Sequence, residues 1–202
     1  CIRDSTSMGG MTDAQTPTVP TPEQDRERLK QLIQELAVVH GRVTLSSGKE
    51  ADYYVDLRRV TLHHEAAPLI GRVMLRLLEE NGIEFDAVGG LTMGADPVAT
   101  AMMHQAGAAG RALDAFVVRK AQKSYGMGRQ VEGPGVDGRR VVVLEDTSTT
   151  GGSALTAVEG VRNAGGDVQA VADSDIRVMR GETVAIVGES GSGKSTSALA
   201  AI

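Results

Sequence analysis

Apolar positions change rhythm along this chain, and the changes mark its elements. In "TPEQDRERLKQLIQELAVVHG", Leu29, Leu32, Ile33 and Leu36 recur at helical spacing. Thr21 can cap that helix, Pro22 suits its first turn, Gln24 completes a capping box and Gly41 closes it. "RVTLSSGKEADYYVDLRRV" predicts two short strands, over 43–45 and 53–57, around a Ser-Ser-Gly turn. A second helix is predicted from about 65 to 80, ending at Asn81 and Gly82. From there short β-rich runs alternate with helical ones. "FDAVGG" reads as strand, "ADPVATAMMHQAG" as helix, "LDAFVVR" and "RRVVVLED" as strands, "GGSALTAVEGVRNAGG" as helix and "VQAVA" as strand. Such alternation predicts an α/β fold in which crossovers join parallel strands and ligands sit at the strands' carboxyl ends.

Three stretches fall outside this rhythm. Residues 1–21 open on Cys1, carry no periodicity and become Pro-rich after Met11, so they are expected to form a disordered leader. Between Arg119 and Arg139 lies a polar segment with five glycines, long enough to be read as a mobile functional loop. The rhythm breaks again near Asp173, where "DSDIRVMRGETVAIVGESGSGKST" begins. The expected organisation is a leader over 1–21, one domain over 22–172 and an appended segment over 173–202.

Composition narrows the classes. With 21 Lys and Arg against 26 Asp and Glu, no Trp, two Phe and three Tyr, the chain lacks the basic and aromatic surface of a nucleic-acid binder. The only cysteine, Cys1, leaves no internal disulfide to form. No run approaches the roughly 20 apolar residues of a membrane span. A soluble cytoplasmic protein is expected. His40, His63, His64 and His104 lack metal-ligand spacing and read as surface or capping residues, and the eight Met as core fillers.

Chemistry concentrates in "VVVLEDTSTTGGSA". A buried strand delivers Glu145 and Asp146 at its carboxyl end, and Thr147, Ser148, Thr149, Thr150, Gly151 and Gly152 turn into a helix. Small hydroxylated and glycine residues let backbone N–H groups converge on a phosphate at a helix N-terminus. Two acids would repel that phosphate unless they serve another part of the same ligand, such as sugar hydroxyls or Mg²⁺. The plain alternative is an ordinary capped strand–turn–helix.

This segment resembles the phosphoribosyl pyrophosphate signature of type I phosphoribosyltransferases. "TLSSGKEADYYVD", "VGGLTMGADPVATA" and "FVVRKAQKSYGMGRQVEG" resemble, respectively, the substrate segment, pyrophosphate-side loop and basic mobile loop of the orotate phosphoribosyltransferases among them. The resemblance implies transfer of a phosphoribosyl group from phosphoribosyl pyrophosphate to orotate, with Mg²⁺, in a homodimer. Glu145 and Asp146 would hold the ribose hydroxyls, directly or through Mg²⁺. Thr147, Ser148, Thr149, Thr150, Gly151, Gly152 and Ser153 would bind the 5-phosphate, with Thr149 also near orotate. Arg119, Lys120 and Lys123 would meet the pyrophosphate, in part across the dimer, and Tyr54 would lie beside the orotate ring. Lys120, Lys123 and Asp146 are the expected catalytic residues. Tyr125 stands where the family usually has a loop His, and Met93 where a Lys is often found. After "VQAVA" the family continues into a strand ending in an Asp-Arg pair whose Arg binds the orotate carboxylate; here "DSDIRVMRGETV" stands instead. The fold expected is therefore a type I phosphoribosyltransferase sheet, truncated at its C-terminal side, with a short β–P-loop–α remnant appended. Poor turnover with phosphate-side binding partly kept is implied.

"GESGSGKS" fits the phosphate-binding loop pattern G-x-x-x-x-G-K-[ST]. Gly188 and Gly193 free the backbone, Lys194 reaches outer phosphates and Ser195 can ligate Mg²⁺. With the run before it, the motif resembles the start of an ABC transporter ATPase subunit, which makes an ATP-binding module the rival reading. Eight residues follow Lys194, too few for the remaining parts of such an ATPase. An orphan beginning joined to an unrelated domain is expected, or a replacement strand and helix packing on the truncated sheet.

Overall fold

In the computed structural model, which describes residues 20–44, 50–120, 129–147, 151–172 and 183–184, Thr21 opens helix α1 (Pro22–Leu36) with the expected capping box. The Gln24 amide donates to Thr21 Oγ1 at 3.3 Å and the Thr21 amide to Gln24 Oε1 at 2.8 Å, so two otherwise orphaned donors are satisfied. The helix stops at Leu36, short of Gly41. Val38 and Val39 instead enter strand β1 (Val38–Thr44), antiparallel to β2 (Glu50–Val55), with Val38 opposite Val55. Paired β-branched residues suit a pleated ribbon better than a last helical turn. Gly41, at φ 146°, sits where the register shifts between His40 and Val43. The strand expected over 53–57 is thus displaced, and Leu57 leads into a short helix, α2 (Arg58–Thr61). The Ser-Ser-Gly turn and the leader as far as residue 19 lie outside the described residues.

Helix α3 (Ala66–Glu80) follows at the predicted place. Its Arg72 and Arg76 both reach the carboxylate of Asp25 on α1, at 2.7 and 2.8 Å, and Asp25 is only 1% exposed. The strands β3 (Ala87–Leu91), β4 (Asp114–Val118), β6 (Arg140–Leu144) and β7 (Asp167–Ala172) appear as expected, as do helices α4 (Ala95–Ala108) and α5 (Gly152–Asn163). One short strand was not expected, β5 (Val131–Glu132), inside the polar segment after Arg119 and antiparallel to β4; β8 (Thr183–Val184), parallel to β7, falls where a replacement strand on the sheet was one of the two expectations.

The main sheet runs β5-β4-β3-β6-β7-β8, parallel except for β5. One face packs Val88, Val142, Leu144, Ala170 and Ala172 against α1, α3 and α4; the other packs Val141, Val143, Phe116 and Val118 against α5. In the middle strand, Gly89 and Gly90 lie so close to the neighbours that a Cβ would collide with the backbone oxygens of Phe116 and Leu144.

Charge pins the amino edge of this sheet. Arg140 at the start of β6 donates to both oxygens of Asp86, at 3.1 and 2.8 Å, and pairs with Glu84. Hydrogen bonds from the Arg140 side chain and backbone hold the Asp86 carboxyl down at about 2. The carboxyl edge carries different residues, and the topology points to it. From β3 the chain winds to β4 on one side, from β6 to β7 on the other, so the order reverses between β3 and β6. An open α/β sheet forms its ligand crevice at such a switch point, beyond the carboxyl ends.

Candidate active site

Glu145 and Asp146 emerge at that switch point. The Glu145 amide still donates to Ala172 O at 2.9 Å, which keeps the backbone in the sheet one residue past β6 and its side chain buried. Asp146 accepts from the Thr147 amide at 2.8 Å and from Thr147 Oγ1 at 3.3 Å, so one carboxylate oxygen is fixed by the turn that follows. Across the crevice, β3 ends in the turn Thr92-Met93-Gly94. Gly94 lies against Asp146 so closely that a Cβ would strike its Oδ1. Met93, where a Lys was noted as common, is 67% exposed.

Basic residues arrive from β4. Arg119 leaves the strand half-buried, its amide donating to Gln130 O at 2.9 Å and its Nη1 3.6 Å from Glu132. Gln130 Nε2 donates back to Arg119 O at 3.3 Å, which closes the base of the loop on both strands. Sequence reasoning missed this latch, because a Gln within a glycine-rich polar stretch carries no periodic signal. Lys120 follows, exposed. With β3 between them, the acids of β6 and the bases of β4 stand two strand spacings apart, about 10 Å. One side suits hydroxyls or a divalent cation, the other an anion.

Helix α5 begins beyond the acid pair. Its N-cap, Gly151, has φ 74°, a conformation glycine adopts without strain, and makes no side-chain cap. Ser153 is exposed in the first turn. On the other side of the acids, Leu29 and Ile33 of α1, Leu57, Val60 and Thr61 around α2, Ile70 and Val98 wall a small cleft that reaches Glu145 and Asp146. Leu29 and Ile33, read from the sequence as one core face, therefore also flank the site.

Of the residues singled out from sequence, the structure brings Glu145, Asp146, Thr147, Gly151, Gly152, Ser153, Arg119 and Lys120 to the carboxyl edge. Tyr54 lies in β2, opposite Val39. Lys123, Tyr125, Ser148, Thr149 and Thr150 lie outside the described residues, as do Gly188, Gly193, Lys194 and Ser195. Among the described residues no cluster of three or more His, Cys, Asp or Glu could cage a metal, and no helix is long and apolar enough to cross a membrane.

A mainly parallel α/β sheet with this acid pair at its switch point and a hydroxyl- and glycine-rich sequence after it defines the type I phosphoribosyltransferase class. No protein-family model matches the chain. The orotate phosphoribosyltransferase of Streptomyces coelicolor is 69% identical over 147 residues, 73% of this chain and 80% of that protein. The crystal structure of the Mycobacterium tuberculosis orotate phosphoribosyltransferase with Fe(III) dicitrate aligns with a TM-score of 0.66 at 61% identity, over 73% of this chain and 82% of that one. The same enzyme in complex with 5-phospho-alpha-D-ribosyl 1-diphosphate gives 0.62 at 56%, over 73% and 80%. The chain belongs to the orotate phosphoribosyltransferase family.

Proposed function

We propose that this chain transfers the phosphoribosyl group of phosphoribosyl pyrophosphate to orotate, releasing pyrophosphate and forming orotidine 5′-monophosphate. What carries the reading is the acid pair at the switch point, faced across β3 by Arg119 and Lys120. A ligand with sugar hydroxyls at its centre and a diphosphate at one end fits that charge order. Glu145 and Asp146 accept from the ribose hydroxyls, and the turn from Thr147 through Ser148, Thr149 and Thr150 to Gly151, Gly152 and Ser153 takes the 5-phosphate at the start of α5. As the bond to pyrophosphate breaks, positive charge grows on the sugar and negative charge on the departing group. The acids favour the first, while Arg119, Lys120 and Lys123 favour the second. Covering the diphosphate with Lys120 and Lys123 excludes water, whose attack would waste the activated sugar. Tyr54 and Tyr125 complete the orotate side and the loop, and a dimer supplies part of the basic loop in trans.

The donors present suit Mg²⁺, which retains waters and binds through one or two carboxylates plus substrate phosphates rather than a protein cage. Held by the diphosphate near Glu145 and Asp146, it would neutralise leaving-group charge.

Residues 22–172 form the transferase unit in this reading. Residues 173–202, which carry the G-x-x-x-x-G-K-[ST] motif, lie outside that unit, and β8 covers an otherwise open edge of β7. Phosphoribosyl pyrophosphate with Mg²⁺ is expected to raise the Tm of the full chain, by the equivalent of about 2.7 kcal/mol at a hundredfold excess over Kd. ATP is expected to leave it unchanged, and Lys194→Ala to leave the phosphoribosyl pyrophosphate shift intact. A shift with ATP alone, abolished by Lys194→Ala, contradicts the assignment.

A further inference from the structure

We propose that Asp96 is a positioning residue for the pyrophosphate-side turn, acting through Thr92; the inference rests on the phosphoribosyl reading above. Thr92 Oγ1 donates to Asp96 Oδ2 at 2.7 Å, and the Thr92 amide donates to Val118 O at 2.9 Å. The first residue of the turn is thereby tied both to the opening turn of α4 and to the end of β4, one residue before Arg119. Two residues on, Gly94 abuts the Asp146 carboxylate and serves as N-cap of α4 without a side chain to contribute. The Asp96–Thr92 bond thus sets how the segment between the acid side and the basic side of the crevice is held.

The other oxygen of Asp96 points to a role beyond capping. Asp96 Oδ1 is buried and has no hydrogen-bond partner among the described residues. Leaving such a buried atom unpaired costs stability. An acid in the first turn recovers part of this from the helix dipole. A residue serving the dipole alone, however, does not need to grip Thr92. Fixing the turn in advance lowers the cost of ordering it around a diphosphate, and a product lacking that diphosphate gains nothing from it.

Calorimetric titration of the full chain with Mg²⁺ and either phosphoribosyl pyrophosphate or orotidine 5′-monophosphate separates the possibilities. Asp96→Ala and Thr92→Val are each expected to weaken phosphoribosyl pyrophosphate about tenfold and the monophosphate less than about twofold. The double variant is expected to be no worse than either single one, since both remove one bond. Asp96→Asn, which keeps an oxygen acceptor for Thr92, is expected to recover affinity to within about threefold of wild type. Equal losses for both ligands, additive losses in the double variant, or no loss overturn the proposal. Should Asp96→Ala fail to fold, Thr92→Val decides by the same split. A wild-type chain that binds neither ligand overturns the phosphoribosyl assignment itself, a result distinct from a wild type that binds both and variants that show no split.

Discussion

Asp146→Asn is expected to weaken phosphoribosyl pyrophosphate binding and lower orotate-dependent pyrophosphate release, together about 100-fold in kcat/KM, while shifting Tm by no more than about 2 °C. The structural effect is small because Asn retains an oxygen where Asp146 Oδ1 accepts from the Thr147 amide and hydroxyl. What disappears is the negative charge. A hydrogen bond to a charged acceptor contributes about 1.5–3 kcal/mol, or one to two powers of ten. Charge developing on the sugar in the transition state adds to that difference. Glu145→Gln is expected to act in the same direction, and the two changes to combine less than additively because adjacent carboxylates serve one ring. Steady-state kinetics paired with thermal unfolding reads both quantities. An Asp146→Asn protein with unaltered kcat/KM moves the sugar site away from the switch point and removes the basis of the assignment.

The placement of these residues at the carboxyl edge was legible because its signal is local. Four consecutive apolar residues, two acids and a hydroxyl–glycine turn occur in one stretch from Val141 to Gly152, and each names its own place: buried strand, carboxyl end, helix start. The capping box at Thr21 and the Asn81-Gly82 stop were equally local. What escaped depends on partners distant in sequence. Val39 continues the spacing of Leu29, Leu32 and Leu36, so a helix through 40 was a fair expectation; only pairing with Tyr54 and Val55 makes it strand. Val131 and Glu132 become strand β5 because Val117 and Val118 offer an edge, and nothing in their glycine-rich surroundings announces it. The Thr92–Asp96 bond was open to inspection at four residues' separation. It gained meaning only when β4 and Asp146 were seen to flank the same turn.

Asp25 illustrates the distant case with the largest stability effect expected. Its carboxylate, 1% exposed, accepts from Arg72 Nε and Nη2 at 2.8 and 2.7 Å and from Arg76 Nη1 at 2.8 Å, so α1 is fastened to α3 by charge. Because α1 also supplies Leu29 and Ile33 beside the acid pair, this fastening bears on the site. Removing one member of a buried pair costs about 3–5 kcal/mol. Arg72 and Arg76 side chains retain 29% and 27% exposure and can rehydrate, so Asp25→Asn is expected at the lower end, about 3 kcal/mol, a Tm fall of roughly 6–12 °C. The acid limb of stability should change with it. Hydrogen bonds from Arg72 hold the Asp25 carboxyl below the ordinary carboxylate range, against the opposing effect of burial. A carboxyl lowered on folding contributes fully above its unfolded value, about 3.9, and loses that contribution as pH falls through its folded value. Urea unfolding of the wild type is therefore expected to weaken below about pH 4, with Asp86, at about 2, adding to the same decline. In Asp25→Asn the decline should be shallower, because one of the titrating carboxyls is gone, so the two proteins converge in acid. Replacing all three members, Asp25→Leu with Arg72→Met and Arg76→Met, is expected to recover most of the loss at neutral pH. Parallel pH profiles for wild type and Asp25→Asn would show that the fastening rests on packing rather than charge.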